Sequence, residues 1–220
     1  LASSGKYQDA IGENIRKAVE TQKRAKKGYY DTAFGYLNKE AELNNIGLDQ
    51  GGVQNVYRAT QAIDDNLFQT LPPVLQKAIE GFRTNVNEQT GSPFSLIDQY
   101  SKELNKEVSI RYRASTAGDP NARIGLRQLQ TAKEVLDNEI KRIGGDFGQR
   151  YITLKQEYGD EFMRSFYEGI GGQLYRKNRF GDAIKNEDVY KKFSSPEVVN
   201  QFININGRSP ESINALTDAI

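Results

Sequence analysis

Residues 151–220 read YITLKQEYGDEFMRSFYEGIGGQLYRKNRFGDAIKNEDVYKKFSSPEVVNQFININGRSPESINALTDAI, and their pattern decides the fold. Starting just upstream, apolar side chains recur at Phe147, Tyr151, Leu154, Tyr158, Phe162, Phe166 and Ile170. Steps of three and four keep such residues on one side of a helix. Gly171-Gly172 end or bend that helix. A basic-aromatic stretch follows, Tyr175-Arg176-Lys177-Asn178-Arg179-Phe180. Ser195-Pro196 and Ser209-Pro210 then each open a short helix, with serine as the cap and proline in the first turn. Val198, Val199, Phe202 and Ile203 are apolar in the first of these, Ile213 and Leu216 in the second.

The same grammar runs through the upstream chain. Residues 7–43 predict one long helix whose stripe is Tyr7, Ile11, Ile15, Ala18, Ala25, Tyr29, Ala33, Leu37 and Ala41, with Gln22 its polar exception. Gly12, Gly28 and Gly35 each weaken it by roughly 1 kcal/mol relative to alanine. Asn44-Asn45 and Gly47 end it. The next stripe, Val53, Val56, Thr60, Ile63 and Leu67, predicts a helix stopped by Pro72-Pro73, because proline lacks the donor and restricts its predecessor. Pro73 opens another with Val74, Ala78, Ile79 and Phe82. Residues 85–91 read as a polar loop. Ser92-Pro93 and Asp119-Pro120 each predict a cap and a first helical residue. The two helices they open carry Ile97, Tyr100, Leu104, Val108 and Tyr112, then Leu126, Leu129, Leu136, Ile140 and Ile143. Together they predict an antiparallel αα-hairpin closed by Gly144-Gly145.

The expected fold is all-α: an elongated multi-helix bundle of long amphipathic helices and αα-hairpins, ending in short proline-started helices. Three segments are expected: 1–91 with the long helix and a helical hairpin, 92–146 with the αα-hairpin, and 147–220 as a C-terminal helical module. The chain opens on Leu1, which suggests a piece of a longer polypeptide.

Composition excludes several chemistries. There is no cysteine, so disulfides and thiolate catalysis are out. There is no histidine, which removes the commonest metal ligand and general base. The net charge of +1 gives no global pull toward nucleic acid or anionic lipid, so any electrostatic site must be local. No apolar run approaches the roughly 20 residues that span a bilayer. No signal-peptide pattern opens the chain.

Few constellations carry chemistry. Glu157, Asp160 and Glu161 lie within about a turn of one another, and Asp64 and Asp65 are adjacent. Carboxylates can cleave glycosidic bonds only when they face each other across the substrate, and neighbours on one helix do not. Lys23, Arg24, Lys26 and Lys27 form a basic patch diluted by Glu13, Glu20, Asp31 and Glu40. Tyr175, Arg176, Lys177, Arg179 and Phe180 are the better nucleic-acid candidate, since interleaved rings and cations let bases stack while phosphates are held. The rival reading has Tyr175 and Phe180 anchoring a turn. Gly51-Gly52 and Gly169-Ile170-Gly171-Gly172 follow no strand and so lack the context of a phosphate-cradling loop. No catalytic residue, metal ligand, cofactor site or small-molecule substrate site is read from the sequence.

The order of elements resembles a module of the internal, or DNA-ejection, proteins of tailed bacteriophages, of the short-tailed kind. The residues behind the likeness are LYRKNRFG after the aromatic helix, EDVYKKFSSPEVV, and GRSPESINAL. Upstream, LNNIGLD, LPPVLQKAI, and the SPFSLIDQYSKELNKEV to GDPNARIGLRQLQTAKEVLDNEI hairpin are also similar. These are packing and capping residues, so the resemblance carries over no catalytic residue. It implies a mechanical role. Such a protein is stored in the virion, leaves with the genome, and reassembles as an oligomeric conduit in the host envelope and periplasm. Its expected partners are copies of itself, other virion proteins, the envelope, and DNA in passing. A chain without cysteine suits passage through a tail, and helices with local contacts refold fast. The rival readings are a helical scaffold or tape-measure-like rod and, from another class, a carboxylate enzyme cleaving peptidoglycan.

Overall fold

A computed structural model describes residues 2–87, 92–168, 170–174, 184–193 and 195–206. The fold is all-α, as the stripes require. The elements are α1 (Ala2–Leu43), β1 (Gly47–Leu48), α2 (Gln50–Gln61), α3 (Asp65–Thr70), α4 (Pro73–Asn87), β2 (Ser92–Pro93), α5 (Phe94–Thr116), α6 (Pro120–Arg123), α7 (Leu126–Arg142) and α8 (Phe147–Glu157). A π-helix (Tyr158–Glu168), α9 (Ile170–Leu174), α10 (Asn186–Lys192) and α11 (Pro196–Asn206) follow. The chain divides into two compact units, residues 34–153, and residues 1–33 with 154–220. Both boundaries expected from turn signals, after 91 and after 146, fall inside the first of these, because helices on either side pack together. The Ser209-Pro210 helix lies outside the described residues.

Within 34–153, α2 packs on α4 and α7, α4 on α5, and α5 on α7, the last pair being the expected hairpin. Leu75, Ile79, Phe82, Ile97, Tyr100, Leu104, Leu129, Leu136 and Ile140 are all fully buried. Each such side chain contributes about 1.5–3 kcal/mol. Phe94 packs edge-on against Phe147 at 4.7 Å and Tyr151 at 4.9 Å, geometry that favours the ring quadrupoles. The end of α1 is a Schellman turn: Ile46 N–H donates to Ala41 at 2.8 Å and Asn45 N–H to Glu42 at 3.3 Å. Asn45 takes the left-handed conformation this requires, φ 51°.

The Val53–Leu67 stripe is two helices, because the Asp64 carboxylate caps α3 by accepting from Leu67 N–H at 2.8 Å. Asp119 caps only the four residues of α6. Gly125, at φ 73°, then restarts the chain as α7, with the Leu67 side chain in the space a Cβ would take. Ser92-Pro93 is not a cap and first helical residue. It pairs antiparallel with Gly47–Leu48, and Pro93 precedes α5 with no side-chain cap. Helix α4 also runs to Asn87, into the stretch expected to be loop.

In the other unit, α1 buries Ile11, Ile15, Ala18, Val19 and Tyr30, while Tyr7 and Tyr29 are exposed at 61% and 60%. The expected stripe is therefore one residue out at Tyr29. The step from Val19 to Tyr30 is eleven residues, which stays closer to one face of a 3.6-residue helix than repeated steps of seven. Phe162 and Phe166 are buried on the π-helix. From Leu154 to Phe166 the apolar steps are all four, which drifts around an α-helix by about 40° per step. The wider π turns rotate the opposite way and bring the rings back. Downstream, Phe193 packs edge-on against Phe202 at 5.2 Å.

Candidate functional site

A buried polar cluster centres on Asp98, one residue past the apolar Ile97 of α5 and only 6% exposed. Tyr151 of α8 donates its hydroxyl to Oδ1 at 2.7 Å. Lys102 and Asn38 donate to Oδ2 at 2.7 and 3.0 Å. Burial, then the negative charge of Asp98, pushes the Tyr151 hydroxyl well above its ordinary range. The Lys102 ammonium also lies 5.1 Å from the Phe34 ring, a further favourable contact for the cation. A carboxylate so enclosed ties α1, α5 and α8 together instead of meeting a substrate.

Two more buried carboxylates behave alike. Glu107 pairs with Arg111 at 2.6 Å, both side chains largely buried. Arg111 also donates to the Ile124 carbonyl at 3.1 Å and the Thr70 hydroxyl at 3.0 Å. Glu139 accepts from Asn55 at 3.0 Å and Arg142 at 2.9 Å. Sequence reasoning missed Asp98, Glu107 and Glu139. The available signal was position: Glu107 and Glu139 lie three residues after the core leucines Leu104 and Leu136, on their face of the helix.

The carboxylates singled out from the sequence are dispersed. Asp64 is the cap of α3, held below the usual carboxylate range by the Leu67 amide and then Gln128. Asp160 pairs with Arg164 at 3.3 Å. Glu161 accepts from the Tyr30 hydroxyl at 3.3 Å and faces Lys26 at 3.9 Å. Burial and then Glu161 raise the Tyr30 hydroxyl to about 12. Tyr30 also meets Tyr158 edge-on at 5.2 Å.

The basic patch on α1 is largely neutralised. Lys17 pairs with Glu13 and Lys27 with Asp31, each at 2.6 Å, and Arg24 pairs with Glu20. Lys23 stacks its ammonium 4.3 Å from the Tyr167 ring. Such exposed pairs add little stability, but they leave the patch with weak net pull on phosphates. The better candidate, Tyr175, Arg176, Lys177, Arg179 and Phe180, lies outside the described residues. Among the described residues no three acidic side chains converge as a metal site, and no helix is long and apolar enough to cross a membrane.

Comparison with models of protein families, with curated proteins and with solved structures finds no match to this chain.

Proposed function

We propose that the chain is a structural segment of a bacteriophage internal, or ejection, protein. In this reading it is packaged in the virion and helps to form the genome-delivery conduit across the host envelope after ejection. It works by packing laterally against copies of itself and against other virion proteins. The likeness in element order supports this reading. The single observation favouring a building role concerns α1. Tyr36 and Leu43, seven residues apart on one face, are 72% and 76% exposed. Seven-residue spacing of apolar groups is what an interhelical seam uses, and these two stand exposed on that spacing with the charged Lys39 and Glu40 between them. The buried Asp98, Glu107 and Glu139 clusters fit the same reading, since each binds helix to helix.

Light scattering with and without lipid vesicles tests this. The proposal expects a defined assembly, formed or enlarged on lipid. A strict monomer under every condition would move the chain to the scaffold reading. Clearing of a purified cell-wall suspension, lost in Glu161→Gln, would move it to the enzyme class.

A further inference from the structure

A groove of about 640 Å³ is lined by α3, α5 and α6, wholly within residues 34–153. Leu67 and Ala122 line it and are themselves buried, while Ile110 and Ile124 stand at it 47% and 63% exposed. Arg111 is already committed there, its guanidinium shared among Glu107, Thr70 and the Ile124 carbonyl. Asp64 and Asp119 are exposed in the same wall, and among the described residues neither pairs with a cation. Asp64, Asp119 and Glu107 against Arg111 leave the wall with two net negative charges. Two isoleucines left in water beside a buried apolar wall form a surface that a partner can cover.

The same unit carries the complementary feature. Tyr36 and Leu43 of α1 are exposed, and neither lines the groove in its own chain. They lie about 10 Å apart along the helix, with Lys39 between them on the same side. Lys39 is exposed and, among the described residues, pairs with no acid. An aromatic ring and an isobutyl group flanking a cation match an apolar groove that carries two carboxylates. We infer that the groove of one copy receives Tyr36 and Leu43 of the next, with Lys39 facing Asp64 and Asp119. This rests on the lateral assembly proposed above and adds the surface that α1 meets. Interface energy concentrates where an aromatic anchor enters a pocket, and the charge match sets orientation. Knob and groove are different patches, so the contact is head-to-tail. Each copy keeps one of each free, and copies add into a ring or an open chain instead of stopping at a dimer.

Sedimentation velocity of the full chain and two double variants tests this. Tyr36→Ser, Leu43→Ser removes the knob, and Ile110→Ser, Ile124→Ser removes the exposed apolar part of the groove. All four side chains are exposed, and thermal melting confirms that both variants fold. The wild type is expected to be a multimer and each variant alone a monomer. An equimolar mixture of the two variants is expected to stop at dimers, since one intact knob meets one intact groove. Lys39→Glu is expected to weaken assembly about tenfold or more. A groove variant with the wild-type mass, a mixture that stays monomeric, or Lys39→Glu assembling as the wild type does overturns the inference while leaving lateral assembly through α1 standing. A monomeric wild type overturns both.

Discussion

Gly12 of α1 lies against the main chain of Asn186, so close that a Cβ would overlap the Asn186 carbonyl. Glycine is there because nothing larger fits. In contrast, a Cβ at Gly28 or Gly35 meets nothing within 4 Å. The two kinds of glycine respond oppositely to alanine. Gly28→Ala and Gly35→Ala should each stabilise by up to about 1 kcal/mol, through helix propensity and a less flexible unfolded chain. Gly12→Ala should destabilise despite the same propensity gain. Urea midpoints of the three variants check this, and a stabilised Gly12→Ala would contradict the packing.

Arg111 keeps Glu107 paired where water scarcely reaches, with side chains 14% and 9% exposed. Replacing it with Met preserves bulk but strands the carboxylate. The expected cost is about 3–5 kcal/mol, typical for breaking a buried pair from one side. Adding Glu107→Leu should restore most of it. A double variant no better than the single would mean that the bonds of Arg111 to Thr70 and Ile124 carry the loss.

The Tyr151 hydroxyl is held neutral by burial and by Asp98. The folded state therefore keeps this proton more tightly than the unfolded chain, whose tyrosines titrate near pH 10. The resulting stability is complete below about pH 10 and is lost as pH rises toward the higher folded value. Tyr30, raised to about 12, adds in the same direction. Denaturant midpoints measured from pH 9 to 11 should fall, and fall less steeply in Tyr151→Phe. Equal slopes would show that Tyr151 titrates normally.

Much of the fold was legible where proline or an uninterrupted stripe spoke. Pro73, Pro120 and Pro196 each stand in a helical first turn, and the α5–α7 hairpin follows from its leucines. The breaks at Asp64 and Gly125 were not legible, because apolar spacing continues through both. Capping by Asp64 and the backbone turn at Gly125 decide them locally. Tyr30 lies buried in place of Tyr29 because small deviations from 3.6 residues per turn accumulate along a helix of 42 residues. The polar clusters were hidden for a different reason. Asp98, Glu107 and Glu139 look like solvated charges until their partners, such as Tyr151 and Asn55, arrive from distant segments.

DNA contact is expected to run through Arg176, Lys177 and Arg179. The expected binding is weak and lost with rising salt, and it should fall further when all three become Ala. Unchanged binding in that variant, read by fluorescence anisotropy at two salt concentrations, would reject the segment.

Comparing the wild-type mass in solution with that of a Tyr36→Ser, Leu43→Ser variant tests lateral assembly through α1. Both side chains are exposed, so the variant should fold with unchanged melting. By sedimentation velocity the wild type is expected to be a multimer and the variant a monomer. Equal masses for the two proteins would contradict it.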